Sequence, residues 1–242
     1  MSRTASAQQS PTAESQQNHS RIRELRGTEM TTAIIGVGNI GSALARHLVA
    51  GGEPVVLAAK DTQHARELAD ELGPLAGSAS AEEAIADADT VVLAVWIDTA
   101  RELIPQYADL LKDKVVIDPS NPIGFDDQGQ IIRSLPADQS AGSIAAALLP
   151  PGAHYVKAFG TLAADALAAA ANREPKKAAL FYATDDATAA ATAERLITLA
   201  GFDPVKAGGL AAAGRIEAPG GDLHQFGLDG EVVDLDRARA AV

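Results

Sequence analysis

The feature that most restricts what this chain can become is a six-residue run, Gly36-Val37-Gly38-Asn39-Ile40-Gly41, set between two segments of different periodicity. Before it stands the apolar run Ala33-Ile34-Ile35; after it Ile40, Leu44 and Leu48 recur at four-residue spacing, the pattern of an amphipathic helix. A strand that turns on glycines straight into a helix is the opening of a βαβ unit that binds a dinucleotide. Gly36 permits the tight turn, Gly38 lets the backbone approach a pyrophosphate, and Gly41 allows the helix to lie close on the strand. The helix N-terminus, with its unpaired amides and positive dipole end, then faces the two phosphates. The glycine spacing by itself arises by chance in glycine-rich chains, and it is the strand before and the helix after that give it meaning.

The rest of the chain repeats the same alternation. Short β-rich runs are expected as strands at 31–35, 54–59, 90–95, 115–118, 155–158, 178–183 and 204–207, and Ala-rich amphipathic runs as helices at 39–50, 63–72, 81–86, 99–111, 140–149, 162–171 and 187–200. Continuous apolar strands such as Val91-Val92-Leu93-Ala94-Val95 imply burial on both faces. The expected fold is therefore α/β: a Rossmann-type, doubly wound, mostly parallel sheet between two helical layers, in one domain over 30–242. After about Gly208 the pattern weakens, and Gly208-Gly209, Pro219-Gly220-Gly221 and Gly227 suggest a short loop-rich closing segment, with a strand-like run at Glu231-Val232-Val233-Asp234-Leu235. Residues 1–29 are rich in Ser, Thr and Gln and lack the apolar stretch of a secretory signal, so they are expected to be a disordered leader, unless translation starts at Met30.

Charge and composition remove several classes of function. With 20 Lys and Arg against 32 Asp and Glu, the net charge of −12 repels nucleic acid and anionic lipid at long range. A cofactor's phosphates can still bind, because helix amides act locally. The absence of cysteine excludes thiolate nucleophiles, zinc fingers and cysteine-ligated clusters. His19, His47, His64, His154 and His224 form no His-x-x-x-His pair, so no metal site is expected. No apolar run approaches the roughly 20 residues of a membrane span. The expectation is a cytoplasmic protein that acts on a small molecule, without nucleic-acid or membrane partners, and forms a homodimer.

The choice between NAD and NADP is written near the end of the second strand, where NAD enzymes usually carry an acid for the ribose hydroxyls. Here the chain reads Leu57-Ala58-Ala59-Lys60-Asp61. Ala59 at the strand end offers no carboxylate to repel a 2′-phosphate, and Lys60 can pair with one, which favours NADP. The alternative is that Lys60 is a solvated charge and Asp61 is the ribose acid.

The runs Thr32 to Ala45, Val91-Val92-Leu93-Ala94-Val95-Trp96 and Val116-Ile117-Asp118-Pro119-Ser120-Asn121-Pro122 resemble the coenzyme F420-dependent NADP oxidoreductase family, with similarity continuing through Val156-Lys157-Ala158-Phe159 to about Ala218. The resemblance implies NADPH on the glycine turn, a basic residue at the position of Lys60, and hydride transfer between the nicotinamide and a second, flavin-like ring such as coenzyme F420 or a flavin. Carried onto this sequence, the cofactor contacts would be Val37, Gly38, Asn39, Ile40, Ala59, Lys60, Val95, Trp96 and Asn121. Two departures stand out: deazaflavin-using members end in a helical tail, and some place a hydroxyl-bearing residue where Ala59 stands.

Hydride transfer requires no nucleophile or metal from the protein, since the cofactor carries the reactive hydrogen and the fold supplies orientation. Ligands of open α/β sheets lie beyond the carboxyl ends of the strands, so Trp96, Asn121-Pro122 and Phe159-Gly160-Thr161 are expected around the nicotinamide. Trp96 has the shape to stack on a planar ring or to serve as an ordinary rim aromatic. Asn121, held extended before Pro122, is placed either to hydrogen-bond the cofactor or to make a plain turn. His224 is read as a surface-loop histidine or as a proton donor to a reduced product. Lys157 falls in a strand that should be buried, so its ammonium must reach the pocket or an acid. Two other readings remain, a dehydrogenase of a hydroxy acid or imine and a nucleotide-binding sensor without turnover. The first usually needs about 100 further helical residues after the nucleotide domain.

Overall fold

The computed structural model describes residues 31–242 and contains one eight-stranded sheet. Its first half alternates strand and helix: β1 (Thr32–Ile35), α1 (Asn39–Ala50), β2 (Val55–Ala58), α2 (Thr62–Leu72), β3 (Ala76–Ser78), α3 (Ala81–Asp87) and β4 (Thr90–Leu93). There follow α4 (Ile97–Gln106), α5 (Ala108–Leu111), β5 (Val115–Asp118), a hairpin of β6 (Ile123–Phe125) and β7 (Ile131–Arg133), and α6 (Ala141–Leu148). The second half holds β8 (His154–Ala158), α7 (Ala164–Ala169), β9 (Ala179–Ala183), α8 (Ala187–Leu199) and β10 (Asp203–Gly208). Two 3-10 turns, Leu210–Ile216 and Gln225–Leu228, and α9 (Leu235–Ala241) close the described chain.

The strand order is β10-β9-β8-β5-β4-β1-β2-β3. From β1 the chain winds outward through β2 and β3, then returns to the other side of β1 as β4 and β5, so the order reverses between β1 and β4. That reversal opens a crevice beyond the carboxyl ends of the two strands, where open α/β sheets bind ligands. Alternate residues of each strand feed two cores. Ile34, Leu57, Val92 and Ile117 pack under α1, α2, α7 and α8, while Ala33, Val56, Val91 and Val116 pack under α3, α4, α5 and α6. This two-faced burial is what the unbroken apolar runs require.

The sequence reading and the structure differ in identifiable places. β8 and β9 pair antiparallel, although β9 and β10 run parallel to each other. Strand direction is invisible to periodicity here, because Ala179–Ala183 is buried on both faces as a parallel strand would be. β3 is a three-residue Ala-Gly-Ser edge with no β-branched residue to announce it. The expected helix at 99–111 begins two residues earlier and breaks at Tyr107. The expected helix at 162–171 shortens to Ala164–Ala169.

The strand-like run at 231–235 makes only one isolated bridge, Ala178 with Asp234, before Asp234 caps α9 by accepting from Arg237 N at 3.0 Å. The chain therefore does finish in a helix. The closing segment is anchored by its own core, with Ile216, Leu223, Val233 and Ala238 packed on Phe181 and Val205. The expected leader, 1–29, lies outside the described residues. Among the described residues, no helix is long and apolar enough to cross a membrane, and no group of His, Asp and Glu is placed to hold a metal ion.

Candidate functional site

The turn from β1 into α1 separates the three glycines by what surrounds them. Gly36 has φ +100°, and a Cβ there would stand 2.3 Å from the Ala94 carbonyl oxygen. A Cβ on Gly41 would stand 1.9 Å from the Gly36 carbonyl oxygen. Both glycines are thus demanded by the protein's own packing. Gly38 is different: it has an ordinary φ of −69°, and a Cβ there would meet nothing within 4 Å. The fold makes no steric demand for glycine at 38, and the space beside it opens into a cleft.

That cleft has a volume of about 910 Å³ and runs along the crevice between β1 and β4. Gly36, Val37, Gly38 and Asn39 form its floor, Ala59, Lys60, Asp61 and His64 one end, and Val95, Trp96, Thr99 and Ala164 the other. Ser42 Oγ donates to Val37 O at 2.7 Å and so stiffens the turn. Helix α1 enters the cleft with no side-chain cap and no acid in its first turn. By contrast α2, α3, α6, α8 and α9 are capped by Asp61, Ser80, Ser140, Asp186 and Asp234. A helix start left uncapped on an open cleft offers its free amides to an anion.

At the β2 end, Ala59 is small and half-buried while Lys60 is exposed at the cleft edge. Asp61, the alternative ribose acid, uses one carboxylate oxygen to accept from Gln63 N at 3.1 Å and His64 N at 3.2 Å, as the cap of α2. Arg46 reaches the same end from α1 and is held by both oxygens of Glu71, which raises its pKa above the ordinary guanidinium value. Sequence reasoning passed over Ser42 and Arg46. The signal was present, since Asn39, Ser42 and Arg46 follow i, i+3, i+7 spacing and share one helix face.

At the other end Trp96 is 58% exposed and packs edge-on against the exposed Phe125 of the β6–β7 hairpin, their rings 6.4 Å apart. It is a rim aromatic. Ile40, Gly41, Asn121 and Pro122, expected as cofactor contacts, do not line the cleft. Gly41 and Pro122 are buried, and the Asn121 side chain is a tie between loops. Its Nδ2 donates to Gly160 O at 2.9 Å and its Oδ1 accepts from Ala218 N at 2.8 Å.

The turn it holds after β8 contains Phe159 in the left-handed region, φ +66°, a conformation a bulky residue adopts only when its surroundings impose it. The same turn carries a buried hydroxyl, Thr161 Oγ1, with no hydrogen-bond partner.

His224 is not on the surface. It is 3% exposed, its Nδ1 accepts from Phe226 N at 3.2 Å, and burial pushes its pKa down to about 4. It is thus a neutral ring, committed to a 3-10 turn. His47 and His64, on α1 and α2, are half-buried and exposed respectively. His47 Nε2 donates to Leu167 O at 3.1 Å, and burial lowers its pKa against the raising effect of that carbonyl. Lys157 does reach acids: its Nζ lies 3.1 Å from Asp118 Oδ2 and 3.7 Å from Glu217 Oε1.

Comparison with known proteins follows the same lines. Residues 31–122 match the family described as NADP oxidoreductase, coenzyme F420-dependent. The chain is 29% identical over 199 residues to an F420-dependent NADP reductase of Methanothermobacter thermautotrophicus, covering 78% of this chain and 85% of that protein. It is 30% identical over 185 residues to the metalloreductase STEAP3 of Rattus norvegicus, covering 76% of this chain and only 35% of that longer protein. Among solved structures, the hypothetical protein SMa0349 of Sinorhizobium meliloti superposes with a TM-score of 0.70 at 33% identity, covering 79% of this chain and 91% of that one. The two named relatives with a stated activity are reductases, and the chain is an NAD(P)-dependent oxidoreductase. Over residues 31–122 it is similar to the coenzyme F420-dependent NADP oxidoreductase family.

Proposed function

We propose that this protein passes hydride from NADPH to a deazaflavin such as coenzyme F420, to a flavin or to another small acceptor. The observation that carries the reading is the uncapped start of α1, opening at Gly38 onto a cleft with Lys60 at one end and Trp96 at the other. The residues present fit the nucleotide. The uncapped start of α1 beside Gly38 and Asn39 suits the diphosphate, and a small Ala59 beside Lys60 suits a 2′-phosphate better than a bare ribose. Asp61, already engaged in capping α2, is a poorer ribose acid than a free carboxylate.

NADPH supplies the transferable hydride when bound. The chain's contribution is to fix the diphosphate on amides that do not reorganise, to anchor the adenosine end by charge, and to present an aromatic rim at the nicotinamide end. Trp96 and Phe125 give that rim exposed aromatic faces, which suit a planar acceptor ring. The F420-dependent relative supports a deazaflavin.

Mixing the pure protein with NADPH and, in turn, oxidised coenzyme F420, FMN and simple quinones tests this directly. Loss of the NADPH absorbance band with at least one of them is expected. Saturable NADPH binding with none consumed would make the protein a nucleotide-binding sensor instead.

A further inference from the structure

Beneath the carboxyl ends of β5 and β8 lies a buried polar cluster that the hydride-transfer reading does not use. Lys157, on β8, is 1% exposed. Its Nζ donates to Asp118 Oδ2 at 3.1 Å and to the Ser120 carbonyl, lies 3.4 Å from Ser120 Oγ, and faces Glu217 Oε1 at 3.7 Å. Asp118 also accepts from Tyr155 OH at 2.7 Å and from Ser120 N at 2.7 Å. Glu217, fully buried, accepts from Ala141 N at 3.0 Å and Gly142 N at 2.8 Å, the first amides of α6.

The contacts join three further segments to β8. The Asp118–Ser120 turn follows β5, Glu217 belongs to the closing segment, and Ala141 and Gly142 begin α6. Directly above the cluster Asn121 ties the β5 turn to Gly160 and to Ala218, the neighbour of Glu217. Gln225 N donates to Thr161 O at 2.8 Å, and Gln225 Oε1 accepts from Ala163 N at 2.9 Å, next to the cleft residue Ala164. Burying an ammonium and two carboxylates together yields little net stability compared with apolar packing, so the value of such a cluster lies in the one arrangement it enforces.

We infer that Lys157, locked between Asp118 and Glu217, is a positioning residue that sets the nicotinamide half of the cofactor site by fixing the β5 and β8 turns to the closing segment. It acts through those turns and does not touch the cleft. The strained Phe159 and the buried, unpartnered Thr161 hydroxyl mark the place where this bracing acts: the turn is held in a conformation it would not otherwise keep. The adenosine half rests on β1, α1 and β2, which the cluster does not reach.

The inference rests on the NADPH reading above and is tested by two probes that fail separately. Affinity for NADPH is compared with affinity for 2′-phospho-ADP-ribose, which lacks only the nicotinamide ring, in the full chain and in Lys157→Met and Glu217→Gln. The wild type should bind NADPH the more tightly. In both variants that advantage should shrink by roughly tenfold or more, with binding of 2′-phospho-ADP-ribose changed less than about twofold. Glu217→Gln keeps the shape of the side chain, and should show the smaller loss if Lys157→Met folds poorly. Equal losses for both probes would make the cluster a general stabiliser and overturn the inference, as would no loss for either, or a wild type that binds the two probes alike. A wild type that binds neither probe would sink the NADPH reading itself.

Discussion

At the scale of single residues, the three glycines of one turn answer to different constraints, and substitution should separate them. Gly38→Val should leave a folded protein with its stability nearly unchanged, because nothing lies within 4 Å of the added Cβ, yet abolish nucleotide binding by filling the diphosphate's place. Gly41→Ala should instead cost stability, on the order of 2 kcal/mol, since its Cβ meets backbone that cannot retreat without separating α1 from β1. Urea titration and a nucleotide titration on each variant check the contrast. Lys60→Asp should shift preference from NADPH toward NADH by about tenfold or more; an unaltered ratio would remove Lys60 from the site.

His224 provides a pH signature. Its folded pKa of about 4 lies below the unfolded value of about 6.5, so its contribution is complete above pH 6.5 and is lost as pH falls through about 4, to a total on the order of 3 kcal/mol. His224→Gln should flatten that part of the stability profile between pH 7 and 4.5.

At the scale of elements, what the sequence disclosed depended on how each element is stabilised. Helices and strands with apolar faces on the two main cores were legible to within a residue or two, because burial imposes periodicity. α1 was found at its full extent, Asn39–Ala50, since Gly51-Gly52 marks its end, where Gly52 N and Glu53 N close on Val49 O and Leu48 O. The β6–β7 hairpin was missed because its stabilisation is local: Asp126 Oδ1 accepts from Gln128 N and Gln130 N, and only three residues pair on each side.

The site divided in the same way. Its floor, built by one contiguous motif, could be read directly, while Arg46, Ala164 and the Lys157–Glu217 cluster come together only through tertiary packing. Asn121 was rightly placed at the carboxyl end of β5, with a cofactor contact and a plain turn left open, since spacing cannot show that both ends of its amide tie loops together. At α2 the capping geometry yields its own test. Asp61→Ala should cost about 1 kcal/mol of stability through loss of the N-cap, and should leave the NADPH-to-NADH ratio unchanged. A marked fall in NADH binding alone would restore Asp61 as the ribose acid.

At the scale of the molecule, strand order decides where function can lie. The reversal between β1 and β4 places one crevice at the carboxyl edge of the sheet, and the uncapped helix, the open glycine and the exposed rim aromatics all gather there. A net charge of −12 makes the binding of an anionic nucleotide a local matter of amides, Lys60 and the α1 dipole working against the long-range field. Binding should therefore show a modest salt dependence, compared with the steep dependence of proteins that gather many phosphates. Calorimetric titration of the full chain and of Gly38→Val with NADPH and NADH addresses the central claim most directly. The account predicts saturable heat for the wild type, with NADPH the tighter ligand, and none for the variant. Absence of saturation for both nucleotides in the wild type, or equal binding by a folded Gly38→Val protein, would contradict it.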